Sequence, residues 1–303
     1  MSRISLFALL TLLLACTEAS DGYSPGTLDS TVVAVSDTVD TDAATVAVFD
    51  RIVAMAQANR LSERPIGQIV QVVGEALAGT PYQDGLLDHG MEETLVVDLT
   101  AFDCVLFVEN VLALAQGIAQ EDYAFDSYVS RLENLRYRAG SRDGYCSRLH
   151  YFTDWIQNNA ERDQIVDITA DLGGEPLEKT LNFMSTHREA YARLVADSTY
   201  SCIVNMEQDI RDRDLIYIPQ QSIRSVYPYL EAGDVIATAT HISGLDVTHT
   251  GFAYLSDDGQ VGFLHASSTG EVKVAEDLRA YVEANDVQIG IIVARPLDPR
   301  DNP

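Results

Sequence analysis

Apolar residues recur at near-helical spacing from Val46 through Val48, Phe49, Ile52, Val53 and Met55, which predicts a first helix. Pro65 opens a second helix that runs through Ala78, and Gly79-Thr80-Pro81-Tyr82 breaks it with a turn. Leu95-Val96-Val97 predicts a short strand, and an apolar helix follows from Cys104 to about Gln116. Between about 121 and 226 helices alternate with polar loops: 128–138 and 179–197 read as helices, 140–144 and Gly173-Gly174 as loops. After Gly233-Asp234 the pattern changes to strands over 235–240, 247–255, 261–266 and 287–293. Ser256-Asp257-Asp258-Gly259 is a hairpin turn between the second and third of these. Helices first and an antiparallel sheet last predict an α+β fold.

The N-terminus stands outside this pattern. Arg3, an apolar run over 4–14 and small residues after it read as an export signal over 1–15, too short to span a bilayer. Leu13-Leu14-Ala15-Cys16 has the form of a bacterial lipobox, which predicts lipidation of Cys16 and a membrane anchor; an ordinary signal peptide is the alternative. Residues 16–45 are predicted to be a disordered acidic tether, since 17–44 hold six acidic side chains and no Lys or Arg. The folded body is then expected over 46–300. The formal net charge of −26, from 46 acidic and 20 basic residues, disfavours nucleic acid as a partner. Export also bears on the cysteines: Cys146 and Cys202 can pair in an oxidising compartment or remain two buried thiols.

The chemistry centres on Cys104. Asp103 can cap the helix that Cys104 begins, with Phe102 and Phe107 placed as a hydrophobic staple. A thiol in the first turn is expected to have its pKa lowered by the helix dipole and unpaired N–H groups, which can also hold an oxyanion. The Asp-Asp-Gly turn pairs the strands of His249 and His265, bringing both imidazoles onto one sheet face with Val247, Gly251, Ala253, Val261 and Phe263. His249 is then the base and His265 its orienter. Core packing of the cysteine and histidines is the competing explanation, and a zinc site on Cys104, His249 and His265 is another use of the same side chains. The chain has no His-x-x-x-His or Cys-x-x-Cys pair, so neither metal nor cofactor is expected. His89, His150 and His187 read as structural or surface groups.

The order Gly79-Thr80-Pro81-Tyr82, Asp103-Cys104, Thr248-His249-Thr250-Gly251 and Leu264-His265-Ala266 resembles the NlpC/P60 superfamily of cell-wall cysteine hydrolases. Four segments narrow this to its DUF1460, N-acetylmuramoyl-L-alanine amidase-like branch. They are Phe102-Asp103-Cys104 with Phe107-Val108-Glu109-Asn110, Ser147-Arg148-Leu149-His150-Tyr151-Phe152, Asn182-Phe183-Met184-Ser185-Thr186-His187-Arg188, and Gly244-Leu245-Asp246-Val247-Thr248-His249. The resemblance covers about 46–296. It implies a papain-like core carrying Cys104 on its helix and His249 and His265 on its sheet, with a helical insertion at about 121–226. It also implies a role for Tyr82 in holding the oxyanion or substrate. The expected reaction is hydrolysis of the muramoyl–L-alanine amide of peptidoglycan fragments in the bacterial envelope. Asp103, Arg148 and Arg188 join Tyr82 as expected substrate contacts, the arginines by neutralising carboxylates or, equally, by forming surface salt bridges. Val105-Leu106 departs from the Thr or Ser common in relatives. Stem-peptide cleavage and catalytically silent muropeptide binding are the alternative functions.

Overall fold

The computed structural model describes residues 39–211 and 213–301; the predicted leader, Cys16 and most of the predicted tether lie outside the described residues, and where disorder was expected over 39–45 a short paired strand and the start of the first helix stand instead. Helices α1 (Ala43–Ala58), α2 (Ile66–Ala76), α3 (Cys104–Ala119), α4 (Phe125–Arg136) and α5 (Phe152–Ala160) come first, with two paired short strands, β1 (Val39–Asp40) and β2 (Leu95–Val96), among them. Strands β3 (Ile165–Asp167) and β4 (Glu175–Pro176) lead into α6 (Phe183–Thr186), α7 (Asp197–Ile210), β5 (Ile216–Pro219) and α8 (Ile223–Val226). The chain closes with β6 (Val235–Thr240), β7 (Val247–Leu255), β8 (Val261–Ala266), β9 (Val272–Ala275), α9 (Leu278–Glu283) and β10 (Gln288–Pro296). The larger sheet has the order β4-β5-β10-β6-β7-β8-β9, with β3 also on β10, and all these neighbours are antiparallel.

Helix α3 is the centre of the fold. Every residue from Leu106 to Ala119 is buried, as its near-continuous apolar sequence requires. Its three buried polar side chains each have a partner: Glu109 pairs with Arg136 at 2.7 Å, Asn110 accepts from the Tyr128 hydroxyl, and Gln116 donates to Gln164. On one face of the sheet, α2 and α3 pack against it, with the Phe107 and Phe252 rings 5.7 Å apart. A smaller cluster, including Ile223, Val226, Leu278 and Val282 of α8 and α9, covers Ala253, Val261 and Phe263 on the other.

The three strands around the hairpin lie where the apolar pattern put them, and the last is shifted to Gln288–Pro296. Residues 179–197 are not the expected helix. Only α6 and two 3-10 turns form there, because Ser185, Thr186 and His187 bond the backbone carbonyls of Asn182 and Phe183 and so compete with helix propagation. Within 121–226, α4 and α5 join the main core, whereas Leu181, Met184, Leu194, Ile203 and Met206 build a separate cluster with Tyr151. Cys146 and Cys202 are joined as a disulfide, with Cα atoms 6.2 Å apart.

Candidate active site

The N-terminus of α3 is built as its sequence suggests. Asp103 Oδ1 accepts from the Leu106 N–H at 2.8 Å, and the Phe102 and Phe107 rings meet edge-on at 5.9 Å. Cys104 is thereby the first helical residue and carries a free thiol. The expected lowering of its pKa is overturned. Although the residue keeps some exposed surface, burial pushes the thiol up to about 12, and the neighbouring Asp103 carboxylate adds to this. Backbone N–H groups of Thr250, Cys104 and Val105 pull the other way without prevailing. Desolvation of the charged form outweighs the partial charges of a helix end, so the resting group is a neutral thiol.

The action of the Thr250 amide puts the sulfur at β7, one residue beyond His249. The β7–β8 ladder runs from Leu255 opposite Val261 to Phe252 opposite Leu264, and just past its end His249 Nε2 and His265 Nδ1 meet at 2.7 Å. Gly251 makes this meeting possible, since a Cβ there would lie 2.5 Å from the Leu264 carbonyl oxygen and 2.8 Å from His265 Cβ. Burial lowers His249 to about 4. His265 falls to about 3 through burial, then the charges of His249 and Lys273. Both rings are neutral at pH 7. The tautomer with the proton on His249 Nε2 donates to His265 Nδ1 and leaves His249 Nδ1 as a basic nitrogen. The nitrogens facing each other are thus occupied by one another.

Val247 does not share the histidines' face. The register of β6 and β7 shifts between Thr238 and Ala239, and Val247 packs on the α3 side instead. An extra residue in one strand reverses the alternation beyond it.

Tyr82 is clipped close to Cys104 by backbone bonds, its own N–H to the Gly270 carbonyl at 2.8 Å and the Gln83 N–H to the Phe102 carbonyl at 2.9 Å. Burial, then the charges of Cys104 and Asp103, pushes its phenol up to about 12, so it remains a protonated donor. Asp103 is engaged as the helix cap. Both arginines have partners within the protein. Arg148 is buried, bonds the Leu87 carbonyl and Asp88 at 3.0 Å each, and lies over the Tyr145 ring. Arg188 bonds the carbonyls of Leu194 and Val195 and the Asp197 carboxylate, and covers Tyr200. An acidic chain with few cations uses these to hold loops; Arg148 and Arg193 together tether the segment that follows Tyr82.

Tyr281, which the sequence pattern did not single out, stands against both histidines. Its ring centroid is 4.7 Å from that of His265 and 5.9 Å from that of His249. A lone tyrosine on a short helix carries no periodic signal of this.

The chain as a whole has counterparts among known proteins. The AmiA-like family model, described as N-acetylmuramoyl-L-alanine amidase-like, matches residues 72–291. A solved structure described as an N-acetylmuramoyl-L-alanine amidase from Bacteroides uniformis is similar at 30% identity and TM-score 0.73, covering 77% of this chain and 99% of that one. A Bacteroides fragilis structure, provisionally described as a xylanase, is similar at 33% identity and TM-score 0.70, covering 74% of this chain and 99% of that one. A DUF1460 protein from Legionella pneumophila shares the fold at 21% identity and TM-score 0.65, over 84% of this chain and 94% of that one. No curated protein matches the chain. By the extent of the family match and by these relatives, the chain belongs to the AmiA-like, N-acetylmuramoyl-L-alanine amidase-like family.

Proposed function

We propose that the protein is a cysteine amidase of the papain-like, NlpC/P60 type that cuts the amide between the muramic-acid lactyl group and L-Ala in peptidoglycan fragments. The observation that carries this reading is the 2.7 Å His249–His265 bond on the strand whose Thr250 amide acts on the Cys104 sulfur. His249 Nδ1 takes the thiol proton as the sulfur attacks the lactyl carbonyl, and the C=O becomes an oxyanion. The Cys104 N–H and the Tyr82 hydroxyl receive that charge. Imidazolium His249, donating to neutral His265 through Nε2, returns its proton to the departing amine of L-Ala as the C–N bond breaks. Water, deprotonated by the same His249, then hydrolyses the thioester and restores the thiol. A xylanase would need two facing carboxyl groups, whereas the groups gathered here are a thiol and two imidazoles, and Asp103 is engaged as a cap.

The exported, lipid-anchored location is part of the same proposal. It is supported by the leader and Cys16 in the sequence and by the Cys146–Cys202 disulfide, which suits an oxidising compartment. Mass spectrometry of defined muropeptides incubated with wild type and Cys104→Ala tests the reaction. Free disaccharide with an intact stem peptide, absent for the variant, is expected. A cut stem with L-Ala still on the sugar assigns stem-peptide cleavage instead, and binding without turnover by wild type assigns a silent binder.

A further inference from the structure

We infer that Tyr281 is a positioning residue, its ring clamping His265 against Phe263 so that His265 holds His249 in its working orientation. His265 is 1% exposed, and its Nδ1 is spent on His249, while its Nε2 has no hydrogen-bond partner among the described residues. An orienting group is ordinarily fixed by a hydrogen bond on its far side, and this one has none. What surrounds the ring instead is aromatic. Phe263 stacks on it at 4.8 Å and 13°, and Tyr281 meets it edge-on at 4.7 Å and 63°. Tyr281 also contacts Phe263 at 4.9 Å, which closes the three rings into a cluster.

A half-turn of the His265 ring would replace Nδ1 by a carbon and break the bond to His249, and sterics are what oppose it. Phe263 comes from the same strand as His265 and covers one side. Tyr281 comes from α9, a separate element, and completes the clamp. Asp277 fixes that helix by accepting from the Ala280 N–H at 2.7 Å and from the Tyr227 hydroxyl at 3.2 Å, while the Tyr227 hydroxyl in turn accepts from the Arg279 N–H at 2.8 Å. The clamp works through the ring, while the Tyr281 hydroxyl hydrogen-bonds the Gln288 side chain.

The inference rests on the proposed reaction for its kinetic consequence but not for its structural one, and the test separates the two. In the purified protein, the N–H proton shared by His249 and His265 is followed by NMR, and turnover of a muropeptide is measured alongside. Tyr281→Phe keeps the resonance and keeps kcat within about twofold, since the ring remains. Tyr281→Leu loses or broadens the resonance and lowers kcat by about 30-fold or more with KM little changed, as expected when a base is misaligned. His249→Gln, which abolishes the resonance, identifies it. A Tyr281→Leu protein that keeps the resonance overturns the inference. So does a Tyr281→Phe protein as impaired as Tyr281→Leu, which would assign the role to the hydroxyl. A wild type with no turnover but an intact resonance, lost in Tyr281→Leu, sinks the proposed reaction and leaves the clamp standing.

Discussion

In the proposed reaction Cys104 starts as a neutral thiol, and this sets the order of proton movements. Its partner His249 is equally neutral, held down to about 4 by burial. In that reaction proton transfer accompanies attack and does not precede it. The pH dependence follows with a definite sign. Below about 4 His249 is protonated and cannot accept, so kcat/KM falls as pH drops through that value; the thiol ionises only towards about 12. Between pH 6 and 8 kcat/KM is expected to be flat. Iodoacetamide labelling of Cys104, read by peptide mass spectrometry, should rise about tenfold per pH unit from 6 to 10, as the thiolate fraction does. A labelling rate already on a plateau between pH 6 and 8 would show a resting thiolate–imidazolium pair and contradict this account.

The strands that carry the histidines depend on one close approach. Gly251 sits where any side chain would meet the Leu264 carbonyl oxygen, a backbone atom that cannot move without disturbing the ladder. Gly251→Ala is expected to cost roughly 1–3 kcal/mol by overpacking, seen as a lower urea midpoint. Activity should fall further than stability accounts for, because His265 Cβ is the next atom in the way. A variant with wild-type stability and turnover would mean that the strands can separate freely at this point. The start of α3 was more legible than these strand contacts. Asp103, Phe102 and Phe107 form a local cap that a few consecutive residues specify. The flip of Val247 was not legible, because the extra residue that causes it is defined only by register against β6.

Across the molecule, the Cys146–Cys202 disulfide ties the segment before α5 to α7 over 56 residues of chain. Closing a loop of that length stabilises the fold by roughly 4 kcal/mol in the chain-entropy account. Replacing both cysteines by serine should lower the urea midpoint accordingly and leave Cys104 labelling unchanged, since helix α3 packs in the main core and the bridge joins α7 of the separate cluster. Equal stability of the double variant would show that the bridge constrains little. Among the described residues no helix is long and apolar enough to cross a membrane.

Local order was written into the sequence wherever near neighbours decide it. The capped start of α3, the hairpin of β7 and β8 and the adjacency of His249 and His265 follow from spacing, capping and turn chemistry alone. The protonation state of Cys104, the internal use of Arg148 and Arg188 and the place of Tyr281 against the histidines came only with the tertiary structure. Burial is a property of everything packed around a group, and a guanidinium chooses among acceptors that distant segments bring to it. Neither quantity exists until the chain has folded.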